Sequence, residues 1–206
     1  MQEVIIDNVI LRIENYELSN GYVLSTSVAA GEWLYVDPIY AKGLFDNIRR
    51  SSSKNAPDSN LTRVFIQSEE TNDIGLIRRN LGIVNPTNSY PDNSCVQDLI
   101  DVQKSIFKES DFDHSLLISQ LDTFDIQASH NVVDLSTQDH ITIEILKLCA
   151  SDICMILIDR SLDLLEKERK YQILSILHSK TVVDGLSVLI ATNDVLIREK
   201  FLGRSI

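Results

Sequence analysis

The segment Leu135 to Glu168, LSTQDHITIEILKLCASDICMILIDRSLDLLEKE, constrains the fold more than any other stretch of the chain. At its centre the apolar run Cys154-Met155-Ile156-Leu157-Ile158 is closed by Asp159. A bilayer span takes about 20 apolar residues, so this run is a strand candidate and not a membrane helix. Strands covered on both faces lose the polar alternation of half-exposed ones, and an apolar run followed by an amphipathic helix reads as a buried parallel strand of an α/β domain. Asp159 then stands at the strand's carboxyl edge, where open α/β sheets place their ligands.

The 206 residues suffice for one well-buried core, so residues 1–206 are read as a single domain. A net charge of −11 argues against nucleic acid and against direct attachment to or insertion into lipid, which draw on clustered Lys and Arg. Any membrane association is expected to run through a protein. The opening MQEVIIDNVILRIENYE carries acids where a secretory leader carries basic residues, so neither a leader nor a span is expected, and the reading is cytoplasmic. Cys95, Cys149 and Cys154 lack metal-ligand spacing; Cys149 and Cys154 lie in apolar segments and read as buried thiols. The histidines are scattered, so no metal site is expected.

In chain order, Val4-Ile-Ile, Val9 to Ile13 and Tyr22-Val-Leu24 form a β-rich opening, and a tight connection at Ala29 to Glu32 leads into the strand Trp33-Leu-Tyr-Val36. Asp37-Pro38 ends that strand, a loop is expected from Ile39 to Gly43, and helix from Leu44. Ser51 to Asn60 and Asn85 to Asn93 are rich in turn formers and read as loops, with strand candidates at Leu61 to Gln67 and Asn80 to Val84 and a polar segment between them. From Val96 to Ile126 apolar residues recur at helical spacing, which predicts a helical subdomain, residues 94–134, inserted between strands. Leu162 to Leu177 predicts a helix and Ser187 to Ala191 another buried strand. Trp33 reads as core, the run Glu166 to Lys170 as a solvated helix face, and Arg49-Arg50 and Arg78-Arg79 as exposed basic pairs.

This order of motifs resembles the ATPase domain of ATP-binding cassette (ABC) transporters over nearly the whole chain. The resemblance implies a P-loop NTPase-like fold: an N-terminal β-rich layer, a parallel-sheet core and an inserted helical subdomain. Tyr16, ahead of Gly31-Glu32, falls where that family keeps an aromatic that stacks on adenine. Its phosphate loop, GxxxxGK[ST], turns backbone N–H groups and a Lys toward phosphate. Here the matching stretch is Asp37-Pro-Ile-Tyr-Ala-Lys-Gly43, with no glycine before Lys42 and no Ser or Thr after it. Pro86 stands at the family's metal-binding Gln, and Leu135-Ser-Thr-Gln-Asp139 at its LSGGQ signature, of which Ser136 survives. Asp159 matches the magnesium-associated Asp, but Arg160 replaces the catalytic Glu, Glu166 the Asp of the following loop, and Asn193 the His that meets the γ-phosphate. A guanidinium cannot take a proton from attacking water at neutral pH.

Tyr16, Lys42, Ser136 and Asp159 are therefore vestigial nucleotide-site candidates, with no catalytic residue and no metal ligand expected, and neither ATP nor magnesium expected to bind productively. Each has a plainer reading: a packed surface aromatic, a loop lysine, a helix cap, and an acid paired with Arg160 or a backbone N–H. The resemblance implies a catalytically inactive subunit that pairs head to tail with an active ABC ATPase under a membrane permease, on the membrane's inner face. The alternatives are a divergent but active ATPase subunit using Lys42 and Asp159, and a free-standing α/β binding module.

Overall fold

The computed structural model describes residues 9–17, 23–51, 65–66, 69–70, 75, 79–84, 90–91, 93–107, 111–201 and 204–205. Residues 4–6, most of the loop after Ser51, Pro86 and Arg78 lie outside them.

Two sheets form. An antiparallel layer has the order β2-β1-β4-β5, with β1 Val9–Glu17, β2 Val23–Ala29, β4 Phe65–Ile66 and β5 Glu69–Glu70. A parallel sheet has the order β6-β7-β8-β3-β9, with β3 Trp33–Val36, β6 Leu81–Val84, β7 Met155–Asp159, β8 Ser187–Ala191 and β9 Arg204–Ser205. The polar segment around Glu69 and Glu70 is thus strand, because it pairs with Phe65 and Ile66 at the edge of the antiparallel layer.

The apolar run is a central strand of the parallel sheet. Ile156 and Ile158 face one core, with Val188, Ile190 and Trp33, while Met155 and Leu157 face a second with Leu34, Val36 and Leu189. Each such buried side chain contributes roughly 1.5–3 kcal/mol, which is why no polar residue interrupts the strand. The first core is closed by the helices α2 Val96–Ile106, α3 His114–Asp122, α4 Thr137–Cys149 and α5 Lys167–Asp184; the second by the antiparallel layer and helix α1 Pro38–Ser51. A last helix, α6 Val195–Phe201, follows β8. Trp33 is core, and its ring N–H donates to Thr181 Oγ1 at 2.7 Å.

Two expected boundaries move. α1 begins at Pro38, so no loop spans 39 to 43: proline's fixed φ and missing N–H suit a first helical position. The helix expected from Leu162 starts instead at Lys167, after a 3-10 turn, Ser161–Leu164. α4 is helix although five of its residues are β-branched. Ser136 caps it, and Ile141, Ile145 and Cys149 fall on one buried stripe. α5 ends on Gly185, whose φ of 72° is the left-handed conformation that lets its N–H reach back to Thr181 O at 3.1 Å. The Gly185 carbonyl accepts in turn from Gly31 N at 2.8 Å, which fixes the entry to β3.

α4 crosses β6 so closely that a Cβ on Gly82 would lie 2.6 Å from Leu148 Cδ2. Gly82→Val is expected to destabilise the fold by about 1–3 kcal/mol in urea unfolding. Combining it with Leu148→Ala should recover part of that loss, giving a non-additive double-mutant cycle.

Candidate functional site

The parallel strands all end at one edge, and the segments that leave β3, β7 and β8 carry the candidate site. Asp37 follows β3 directly and caps α1. Its Oδ1 accepts from Ile39 N at 3.0 Å, and its carbonyl accepts from Tyr40 N at 2.9 Å and Ala41 N at 3.2 Å. The α1 N-terminus, where a phosphate loop would present N–H groups, thus holds a carboxylate of the chain's own. Lys42 lies beyond this cap, on the helix itself.

After β7, Asp159 meets Arg160 Nε at 3.6 Å, and its Oδ1 is buried without a hydrogen bond. Arg160, half exposed, has φ of 53°, and its N–H bonds to Ala191 O at 3.0 Å, tying β7's end to β8's. Asp163, in the turn that follows, then reaches across to the end of β8. Its carboxylate accepts from Thr192 Oγ1, from Asn193 N at 3.0 Å and from Asn193 Nδ2 at 3.1 Å. Asn193 is therefore engaged within the chain. Between these segments, burial raises the Tyr35 pKa; Arg198, whose guanidinium lies 4.4 Å over the ring, opposes that, while Asp37 and Asp163 add to it. Tyr35 thus shares one electrostatic environment with both acids.

The turn that opens α4 is the second helix N-terminus at this edge. Ser136 and Asp139 form a capping box: Asp139 N donates to Ser136 Oγ at 3.2 Å, while Asp139 Oδ2 accepts from Ser136 N at 3.0 Å and Ser136 Oγ at 2.7 Å. Asp139 Oδ1 pairs with Arg169 Nη1 at 2.5 Å, and Gln138 Oε1 accepts from Glu166 N at 2.9 Å. Burial by itself would raise the Asp139 pKa; hydrogen bonds from Ser136 and Arg169 overcome it and hold the carboxyl below its usual range. The run Glu166 to Lys170 is accordingly not a plain solvated face: Arg169 grips Asp139, and Lys170 Nζ grips Asp194 Oδ2 at 2.8 Å. Each partner lies more than 20 residues away, so periodicity could not show these pairs.

Lys42, Ser136 and Asp159 therefore all belong to segments that meet along the carboxyl edge. Tyr16 lies on β1 in the antiparallel layer, opposite Leu24. Sequence reading missed Asp163, because nothing local to it signals a bond to residues 29 and 30 positions ahead. Cys149 is inert, its thiol pushed up to about 12 by burial against a smaller opposing effect of Lys180. Among the described residues no group of three or more His, Cys, Asp or Glu is arranged to hold a metal ion, and no helix is long and apolar enough to cross a membrane.

No protein-family model and no curated protein sequence matches the chain. Solved structures do match, and they are ATP-binding cassettes. CbiO1 of Clostridium perfringens, part of the ABC transporter complex CbiONQ, has 19% identity over 91% of this chain and 80% of its own, with a TM-score of 0.67. An ATP-binding subunit of an ABC transporter reaches a TM-score of 0.75 at 14% identity, over 94% of this chain and 83% of its own. A dimeric cassette in a post-hydrolysis state bound to ADP and Pi gives 0.70 at 16% identity, over 91% and 90%. The chain has the P-loop ABC ATPase fold, with its antiparallel layer, parallel sheet and helical lobe in place.

The Asp139 cap has a pH signature. Because its folded pKa is depressed, the stability it contributes is present above the unfolded value, about 3.9, and is lost as pH falls below that toward the folded value. Asp139→Ala should cost about 0.5–2 kcal/mol at neutral pH and flatten the acid limb of the stability profile below about pH 4, measured by chemical denaturation across pH.

Proposed function

We propose that this chain is an ABC-type ATPase-like subunit that does not hydrolyse ATP and acts as a structural or regulatory partner of an active ABC ATPase beneath a membrane permease. The observation that carries the reading is the state of the α1 and α4 N-termini at the carboxyl edge. Asp37 caps α1 and Asp139 caps α4, so the dipole ends that attract phosphate in this fold are already neutralised by carboxylates. A triphosphate brought there would meet negative charge at both positions.

The residues present do not fit a magnesium–nucleotide centre. Asp159 offers one buried oxygen without a hydrogen bond, but a guanidinium lies 3.6 Å from it, and Gly43 follows Lys42 where a hydroxyl ligand would be needed. Arg160 holds the position of the general base and cannot accept a proton. Asn193 is committed to Asp163.

The fold supports the assembly. Similar cassettes are described as dimeric and as parts of ABC transporter complexes, and this chain, with the same layers and helical lobe, would pair head to tail in the same manner. Its place would be the cytoplasmic face of the membrane, reached through the permease. The presence of the helical lobe weighs against a free-standing binding module. A divergent active ATPase using Lys42 and Asp159 is the competing reading, and turnover decides between them.

The purified chain is expected to show no ATP hydrolysis above background and no saturable uptake of fluorescent Mg-ATP, while a tagged copy in its native cells should co-purify an intact ABC ATPase and a polytopic membrane protein. Turnover that disappears in Asp159→Asn would sink the inactive reading. Recovery of neither partner would sink the transporter assignment.

A further inference from the structure

At the amino edge of the sheet, away from the capped helix N-termini, two hollows lie side by side along α5. One, about 390 Å³, is floored by Phe112, Ile153 and Leu186 and rimmed by Asp113 and Asp152; the other, about 410 Å³, is lined by Leu116, Gln120, Ile176 and Val183. Both share Lys180 and Asp184, so they form one groove between the helical lobe and α5. The α5 residues along it, from Ser175 to Asp184, advance in steps of three and four and present one helical stripe, about 14 Å long.

The groove is two-sided in character. Its apolar half leaves Val183 75% exposed. In its polar half the carboxylates Asp113, Asp152 and Asp184 face one ammonium, Lys180, which Asp184 already holds at 2.7 Å. The carbonyl ends of α4 and α5 point to the same place, and Asp113 caps the opposing N-terminus of α3 there. Apolar floor and acidic rim match one kind of occupant.

We propose that this groove receives a basic amphipathic helix of a partner protein. Its aliphatic face packs on Leu116, Ile176 and Val183, and its Lys and Arg side chains face Asp113, Asp152 and Asp184. The inference is independent of whether the chain hydrolyses ATP.

The probe is a fluorescein-labelled synthetic helix of about four turns, Leu on one face and Lys on the other, titrated against the full chain by anisotropy. Saturable binding is expected, weakened about tenfold or more by Val183→Asp and by the pair Asp152→Lys with Asp184→Lys, and unchanged by Asp101→Lys on α2. A scrambled peptide of the same composition should bind at least about tenfold more weakly, which separates groove binding from attraction to a chain of charge −11. Circular dichroism melts check that each variant folds; Val183→Asp changes an exposed residue and carries the test if the paired variant does not. No saturable binding, equal affinity for the scrambled peptide, unchanged affinity in Val183→Asp, or self-association of the chain that Val183→Asp abolishes would each overturn the proposal.

Discussion

A helix N-terminus offers N–H groups that its own helix cannot satisfy, and in this chain those of α1 and α4, at the carboxyl edge, are satisfied from within. Asp37 accepts the first N–H of α1 through its side chain, and Asp139 closes a reciprocal box with Ser136 at α4. A backbone shaped for phosphate uses small residues so that the ligand can supply the acceptors. Here Pro38 lets the helix begin at once and the carboxylate arrives with the chain. The same contacts that stabilise the two helices decide what the edge can receive.

Further ion pairs and hydrogen bonds then weld the edge together. Asp163 joins the turn after β7 to the end of β8, Asp194 holds Lys170, and Arg169 draws the start of α5 onto the turn that opens α4. In this chain each loop already has an internal partner, which suits a subunit whose proposed use is to present a fixed shape to other proteins. The groove at the amino edge has the opposite character: Val183 on its wall stands open to solvent.

Much of the fold was legible. Strands Trp33 to Val36 and Ser187 to Ala191 stand where the apolar runs put them, and the helical lobe lies where the periodicity changes. Where local pattern and structure part, the cause is specific. Ile39 to Gly43 reads as a loop because Asp37-Pro38 breaks the strand there, yet Pro38 and the Asp37 cap start a helix at that point. Glu166 to Lys170 reads as solvated because its charges alternate; the partners of Arg169 and Lys170 lie at Asp139 and Asp194.

The sequence by itself determined that the chain builds a parallel sheet buried on both faces, that β7 ends in an acid, and that the stretch from Asp37 to Lys42 holds no glycine. Those are properties of residue type and order, which hydrophobic period and side-chain chemistry express locally. Only the tertiary structure decided which acid takes which N–H: Asp163 meets Asn193, and Asp139 meets Arg169. Hydrogen bonds and charge pairs act over a few ångströms of space and are blind to separation along the chain, so folding had to bring the partners together before they could be named.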